Sequence, residues 1–474
     1  MGHTDRKLAA HLARRAGFGA TVDELDSYEN MDYDELVDHF LNPGSIQHVE
    51  DALIYRRYPT IHAHLHHNPG QWGLRMLTTN APLLEKITLF WHGIFATAET
   101  KLNNFGAAHN QINMFREHGL GTFDNLLLEL SRDPAMLVWL DNQTNHKDEI
   151  NENYGREILE LFSMGVGNYT EDDIKECARA FTGWAIGNSE YMTMMGIKDS
   201  IWPYGRIVTH FEFNAEDHDN GTKTFLGETG NFNGDDVIRI ICKQDATARF
   251  VARHMYSFFV SDEVPVPQWQ NVPPKDPEAI ELLKKTYIDS NYSIKEMLRV
   301  LFNSEFFKGS QFTRVKSPTE LIMNTLRSTQ EFYDVQADTP IWHLMEEGGF
   351  MGQKLTNPPS VEGWHTGDEW ITSGSLVDRV NFASRYLSDP DNVGVRRMID
   401  KIKAAVTGQS TIREFIDLCL SSLGELEVDS RTYESLTMIV EESGFGYRQS
   451  DDDLEDTILK VFRVVSSSRE FQMC

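Results

Sequence analysis

The spacing of apolar residues predicts helices along most of this chain. In residues 81–97, apolar side chains recur at intervals of three and four positions, which places them on one face of a helix. Two further helix starts carry capping signals, Thr21 with Glu24 and Ser317 with Glu320. In each pair, the first side chain and the later glutamate can satisfy free amide groups of the first turn. The pattern therefore predicts a mainly α protein.

Alternation typical of strands is confined to one short region. Residues 207–213 alternate in part, an Asp-Asn-Gly turn follows at 219–221, and residues 223–227 read Lys-Thr-Phe-Leu-Gly. This pattern predicts one small hairpin within about residues 205–228. We therefore expect a large multi-helix globular fold with a small inserted β-hairpin and long irregular loops.

Four prolines in residues 262–275 indicate a connector between two helical bodies. We expect an N-terminal body over residues 1–262, which holds the candidate site and the hairpin, and a C-terminal body over residues 276–474. The C-terminal body carries two similar amphipathic stretches, 298–306 and 461–471, which are either a repeated helical module or a coincidence. The two bodies are expected to pack as a single integrated fold.

The chain is strongly acidic, and this narrows the range of partners. Lys and Arg total 44 against 72 Asp and Glu, a formal net charge of −28. Because phosphate binding needs clustered cations, we expect no nucleic acid partner and no docking on anionic lipid. Acidity of this kind is otherwise typical of a soluble protein.

The cellular compartment is predicted from what the sequence lacks. No run of about 20 apolar residues is present, so no membrane span is expected. No signal peptide is visible, which predicts a cytoplasmic protein as written, and a periplasmic or exported one if a leader was removed. The four cysteines lie far apart and are expected to be reduced and buried.

The polar residues Asn153, Arg156, Glu157 and Glu160 share one face of a predicted helix. This face is either a solvated surface with an Arg156–Glu160 ion pair or a functional site. As a site, it offers Glu157 and Glu160 as catalytic carboxylates and Arg156 as a substrate ligand. Asp141 lies upstream and, with Asn153 and Glu157, supplies the oxygen ligands that Ca²⁺, Mg²⁺ or Mn²⁺ prefers. A divalent metal ion is therefore the candidate cofactor.

The N-terminal helix carries His11 and Arg15 on the face that should enter the core. A buried arginine needs a carboxylate partner, because an unpaired buried charge costs several kcal/mol. Glu157 or Glu160 is the expected partner. The four residues form either a structural ion pair that ties the N-terminus to the body or part of a catalytic site.

Histidines supply further candidates. His92, within Phe-Trp-His-Gly, is a candidate general base or metal ligand, with a packed core histidine as the alternative. His218 opens a His-Asp-Asn-Gly turn that is weakly similar to a calcium loop, and it is a candidate metal ligand, although a plain hairpin turn is favoured. The histidine-rich stretch 62–67 is expected to be a loop or surface, because its spacing does not fit one helix face.

Three further residues are candidate substrate ligands. Arg314 and Lys316 precede a capped helix and could bind an anion at its N-terminus. Trp364 lies in a stretch rich in Pro and Gly, where an exposed indole suits carbohydrate stacking or a pocket lid. A buried structural loop is the alternative for Trp364.

These motifs together resemble one family. They are His11-Leu12-x-Arg14-Arg15-Ala16-Gly17-Phe18-Gly19, Phe90-Trp91-His92, Asn151-Glu152-Asn153-Tyr154-x-Arg156-Glu157, Phe181-Thr182-Gly183-Trp184, His218-Asp219-x-Gly221-x-Lys223-Thr224-Phe225-Leu226-Gly227, Lys316-x-Pro318-x-Glu320 and Pro358-Pro359-x-Val361-x-Gly363-Trp364. The chain is similar, from about residue 8 to its end, to the bacterial domain of unknown function 1800 family. The resemblance implies a mostly helical fold and no established reaction. It also implies a sulfatase-like companion protein and, for many members, an export signal that is not visible here.

Two classes of function are therefore predicted. The first is an enzyme with a buried Glu/Asn/His/Arg site, with or without a metal, that hydrolyses a saccharide or another polar substrate. Its candidate catalytic residues are Glu157, Glu160, His92, Arg15 and His11. Redox chemistry on histidine-bound iron stays open. The alternative is a non-catalytic helical scaffold or escort protein that binds the sulfatase-like companion or a polysaccharide.

Overall fold

The computed structural model describes residues 3–47, 67–188, 208–331, 341–446 and 450–474. The predicted mainly α fold is confirmed, with 62% of the described residues in helices. The histidine-rich stretch 62–67 lies outside the described residues except for the backbone of its last residue. Within the described part, no helix is both long and apolar enough to cross a lipid bilayer.

Short and medium-length helices make up both halves of the chain. Those of the first half are Arg6–Ala16, Val22–Tyr28, Tyr33–Leu41, His67–Thr78, Pro82–Ile94, Glu99–Leu102, Phe105–His118, Phe123–Arg132, Pro134–Trp139, Asn153–Glu160, Glu171–Ala180, Gly234–Cys242 and Asp245–Phe259. Those of the second half are Pro277–Asp289, Ile294–Asn303, Glu305–Lys308, Pro318–Thr329, Ile341–Phe350, Ser373–Leu387, Val393–Ala405, Ile412–Ser422, Ser430–Glu442, Asp451–Ser466 and Arg469–Gln472. Short 3₁₀ turns lie at Asn142–Thr144, Ala215–Asp217, Val266–Gln268 and Gly367–Trp370.

The strands form two separate antiparallel pairs. Trp184–Asn188 pairs with Thr209–Phe213, and Lys223–Phe225 pairs with Glu228–Gly230. The sequence predicted that residues 207–213 and 223–227 would pair with each other, and this pairing is wrong. The partner of the first segment lies upstream, directly after the helix Glu171–Ala180, where short-range turn signals do not reveal it.

One large hydrophobic cluster extends through both halves of the chain. It includes Leu12 and Phe123 from the first half and Leu321 and Phe462 from the second. A second, small cluster contains Leu102, Ala107, Ala108 and Ala135. The buried apolar side chains of the two halves are therefore continuous.

The predicted helix caps are present. Thr21 and Glu24 form a reciprocal capping box, and so do Ser317 and Glu320 at a helix whose first residue is proline. These caps satisfy amide groups that would otherwise lack partners at the helix starts. The second cap is buried, and it brings the Glu320 carboxylate into the interior.

The two similar amphipathic stretches have the same local structure. Ile294–Asn303 is followed by Ser304, whose side chain caps a short helix through the amide of Phe307. Asp451–Ser466 is followed by Ser468, which caps a short helix through the amide of Phe471. All four cysteines of the chain are free and buried.

Candidate functional site

The candidate site is a cavity of about 200 Å³ whose wall includes three tryptophans. Trp269 comes from the proline-rich connector, and Trp364 and Trp370 come from the irregular stretch after residue 350. We call this cavity the tryptophan pocket. Phe90 and Phe258 add aromatic surface from two buried helices. The polar wall residues include His254, Asp262, Arg314, Gln353, Glu362 and His365.

A close backbone approach fixes the loop that carries Trp364. Gly363 has a φ of +84°, in the left-handed region that favours glycine. A Cβ atom at Gly363 would lie 2.3 Å from the carbonyl oxygen of Gly93. The loop can therefore pack onto the end of the helix Pro82–Ile94 only because residue 363 has no side chain.

His92 lies behind the pocket wall rather than in the cavity. Its Nε2 atom accepts a hydrogen bond of 3.1 Å from the backbone amide of Thr356, so the ring proton is assigned to Nδ1. Burial lowers the pKa of His92 to about 3. Its ring meets Trp364 edge to face, with 5.2 Å between ring centroids. His92 is therefore a neutral residue that positions the loop, and its predicted role as a general base is not supported.

A buried ionic cluster lies beneath the pocket. Glu320 accepts hydrogen bonds from Lys86 and from Arg314, and Arg314 also lines the pocket. Burial alone would raise the pKa of Glu320, but Arg314 and Lys86 outweigh burial and hold it below its usual range. Asp262 accepts a 2.9 Å hydrogen bond from the amide of Val315, and burial raises its pKa. The pocket therefore has both a guanidinium and a carboxyl group in its wall.

The predicted pairing of Arg15 with Glu157 or Glu160 is wrong. Arg15 is fully buried, as expected, but it donates to the carbonyls of Val260 at 2.9 Å and Ser310 at 3.0 Å. Backbone carbonyls therefore take the place of a carboxylate at Nη2, while the Nε and Nη1 atoms of Arg15 are buried without a partner.

His11 is also buried, and it is not poised for acid–base chemistry. Its Nε2 atom lies 3.0 Å from the Phe307 carbonyl. Burial, with help from Arg15 and Arg14, lowers the pKa of His11 to about 2. These contacts give His11 a structural role at the junction of the two halves.

Glu157 lies beside the pocket on the helix Asn153–Glu160. It is half-buried, and Leu161, one turn further along, lines the cavity. Burial is the main cause that raises the pKa of Glu157 to about 7, and the neighbouring charges of Glu160 and Glu362 contribute to that rise. Because Glu362 lines the pocket, two carboxyl groups share the field at its edge.

The other polar residues of that helix have separate partners. Glu160 accepts a 2.8 Å hydrogen bond from the hydroxyl of Tyr169. Arg156 forms an exposed two-point ion pair with Glu171, at 3.0 and 2.8 Å, so the predicted Arg156–Glu160 pair is not formed. Arg156 does not line the pocket, and its contact with a substrate stays a prediction.

The four predicted metal ligands, Asn153, Glu157, Asp141 and His218, do not form a cluster. The Asn153 amide donates to the Leu140 carbonyl at 3.0 Å, and Asp141 pairs with Lys101 at 3.1 Å. His218 is buried, with its Nδ1 atom 2.8 Å from the Thr182 carbonyl.

The acidic residues on either side of His218 are also bonded within the protein. Asp219 is held by Arg179 at 2.7 Å and Asp217 by His146 at 2.5 Å. Across the ranges that the structure describes, no group of three or more His, Cys, Asp or Glu side chains could hold a metal ion. The carboxylates next to His218 are therefore already bonded to basic side chains.

Arg314 and Lys316 precede the same capped helix but face different surroundings. Arg314 reaches the pocket, whereas the Lys316 ammonium donates to Asn324 and to the Phe471 carbonyl, each at 2.9 Å. Neither residue sits on an exposed helix N-terminus. Of the predicted substrate ligands, Arg314 and Trp364 are brought together in one cavity.

Sequence reasoning missed His254, Asp262 and Trp269. All three line the pocket, and the Nε2 atom of His254 is buried without a hydrogen-bond partner. Burial lowers the pKa of His254 to about 3, so the ring is neutral. The prolines at 262–275 predicted a connector. Trp269 was the residue within it that could have indicated a buried segment.

The sequence matches a family described as protein of unknown function (DUF1800) over residues 11–473. The chain belongs to this family. Neither the curated proteins nor the solved structures contain a match to it. Four of the motifs that carry the resemblance converge in space, since Arg15, His92, Glu320 and Trp364 lie in or behind the walls of one pocket.

Proposed function

We propose that this protein is an enzyme that binds a saccharide in the tryptophan pocket and hydrolyses it. The observation that carries the proposal is the combination of three indole rings with Asp262, Arg314 and a partner-free nitrogen of His254 in one cavity. Sugar rings present apolar C–H faces that stack on indoles, and hydroxyl groups that bond to such polar side chains.

Glu157 and Glu362 are the carboxyl groups that we assign to the reaction. With a pKa of about 7, raised first by burial, Glu157 keeps a proton that it can give to the glycosidic oxygen as that bond breaks. Glu362, in the pocket wall, would take a proton from the attacking water.

Binding is tested first, by titrating intrinsic tryptophan fluorescence with a panel of neutral and acidic oligosaccharides. We expect saturable quenching, and a loss of affinity of about tenfold in Trp364→Ala, which corresponds to about 1.4 kcal/mol. Trp139→Ala is the matched control. Trp139 is partly buried beside the small cluster and does not line the pocket.

Hydrolysis is tested by release of reducing ends from any saccharide that binds. Glu157→Gln should lower kcat by about 100-fold with little change in affinity, because general acid catalysis contributes at least that factor. If no saccharide binds, or if Trp139→Ala weakens binding as much as Trp364→Ala does, the pocket assignment fails. Binding without turnover would support the non-catalytic scaffold instead.

A further inference from the structure

A second cavity, of about 10 Å³, lies between the N-terminal helix and the helix Pro318–Thr329. This space takes one small occupant, a water molecule or a monoatomic ion. Among the described residues, Arg14 and Lys316 are the charged side chains in its wall. The rest of the wall is apolar or small, apart from Asn324 and Ser328.

Arg14 brings unsatisfied donors to this cavity. The side chain is 6% exposed, and its guanidinium donates one hydrogen bond, to the carbonyl of Gly424. The Nε and Nη2 atoms are buried and have no partner. Burial lowers the pKa of Arg14 to about 10, so the group is still charged at neutral pH.

Lys316 faces the same cavity. Its ammonium bonds to Asn324 and to the Phe471 carbonyl, which uses two of its three donors. Burial is the main cause that lowers the pKa of Lys316 to about 7; the charge of Arg14 contributes to that fall, and Cys474 opposes it. The two cations therefore repel each other across a confined space.

The neighbouring acidic side chains are committed to other cations. Glu425 pairs with Arg6 at 2.9 Å, and Glu427 pairs with Lys7 at 2.7 Å. Glu320 is shared by Lys86 and Arg314. Cys474 favours the charged forms of Arg14 and Lys316 but does not line the cavity.

We propose that this cavity binds one monoatomic anion, chloride, between Arg14 and Lys316. A chloride ion only accepts hydrogen bonds, which matches a wall that offers two guanidinium nitrogens without partners and the nearby Lys316 ammonium, which also lies 4.6 Å from the centroid of the Phe471 ring. A water molecule is the alternative occupant, because the Ser328 hydroxyl and the second lone pair of the Gly424 carbonyl can accept its hydrogens. Sulfate and phosphate are too large for the space.

The direct test is crystallisation of the full chain from bromide. Bromide replaces chloride and gives an anomalous scattering peak, which we expect between the Arg14 guanidinium and the Lys316 ammonium. A water-sized feature with no anomalous signal at that position would overturn the proposal. This readout uses the unmodified protein and does not depend on any variant folding.

A second test measures thermal stability at constant ionic strength. Sodium chloride should raise Tm saturably above sodium gluconate, by about 1–2 °C at ten times the Kd, since only the folded state binds the ion. Arg14→Met should abolish the difference. Arg253→Met removes a buried arginine outside this cavity. It should lower Tm but keep the difference in Tm between chloride and gluconate. Equal Tm values in chloride and gluconate would contradict the assignment.

Discussion

At the scale of single residues, several charged side chains are buried, and Glu320 bonds to two of them. This carboxylate bonds to two buried cations and to the amide of Ser317 at 2.8 Å. Breaking a buried ion pair by removing one partner leaves an uncompensated charge. The cluster therefore acts as a unit, and its members are sensitive to single changes.

Glu320→Gln should lower the free energy of unfolding by about 3–5 kcal/mol, because Lys86 and Arg314 lose their shared countercharge. Urea denaturation measures this loss. Glu171→Gln is the control, since Glu171 forms an exposed pair whose loss should cost less than about 1 kcal/mol. The folded-state pKa of Glu320 is depressed, so its contribution is present at neutral pH and is lost as the pH falls below about 4.

Glu99 shows the opposite behaviour. It is buried, it accepts a 2.5 Å hydrogen bond from Asn68, and burial raises its pKa to about 8. The folded state therefore holds a proton that the unfolded state releases above about pH 4.5, so stability falls as the pH rises from about 4.5 to 8.

Glu99→Gln, which copies the protonated acid, should remove that fall. We expect the variant to match the wild type at pH 5 and to be more stable by about 1–3 kcal/mol at pH 8. Chemical denaturation at both pH values measures the difference. A stability difference that does not change between pH 5 and pH 8 would show that Glu99 is ionised in the folded state.

Sequence periodicity identified which residues are buried more reliably than it identified their partners. The spacing on the N-terminal helix correctly placed His11 and Arg15 in the interior. It could not show that Arg15 bonds to the carbonyls of Val260 and Ser310, because those atoms come from segments about 250 to 300 residues away. These two carbonyl oxygens stand where the sequence predicted a carboxylate partner.

At the scale of elements, the pocket depends on one strained loop position. Thr356 has a φ of +60°, which is costly for a β-branched residue. Its amide donates to His92, and its carbonyl accepts a 2.9 Å hydrogen bond from the amide of Glu99. These two bonds hold the loop that carries Trp364 and Trp370, which sequence patterns showed only as an irregular stretch.

His92→Phe should loosen this loop. The change leaves the buried Thr356 amide without an acceptor, which should cost about 1–3 kcal/mol, and hydrogen exchange at residues 353–370 should become faster. His11→Phe is the matched control, since it alters a buried histidine near Phe307 and should leave exchange in that loop unchanged. Equal protection of the loop in both variants would show that the His92 bond does not hold it.

At the scale of the whole molecule, contacts between the two halves are numerous and buried. Lys86 from the first half reaches Glu320, and the carbonyl of Ser310 is bonded by Arg15. Glu24 pairs with Arg327 at 2.9 Å. The hydrophobic cluster is continuous across the same boundary. Polar groups of each half therefore depend on the other half for partners.

We expect the molecule to unfold as one cooperative unit. Calorimetry on the full chain should show a single transition, with a calorimetric enthalpy equal to the van't Hoff enthalpy. The separate pieces 1–262 and 276–474 should lack fixed tertiary structure. Each would expose its side of the shared core and leave buried charges without their partners. Near-ultraviolet circular dichroism of the pieces measures this. Two resolved transitions, or a native-like spectrum from either piece, would show that the halves are independent domains and that the ionic cluster only joins them.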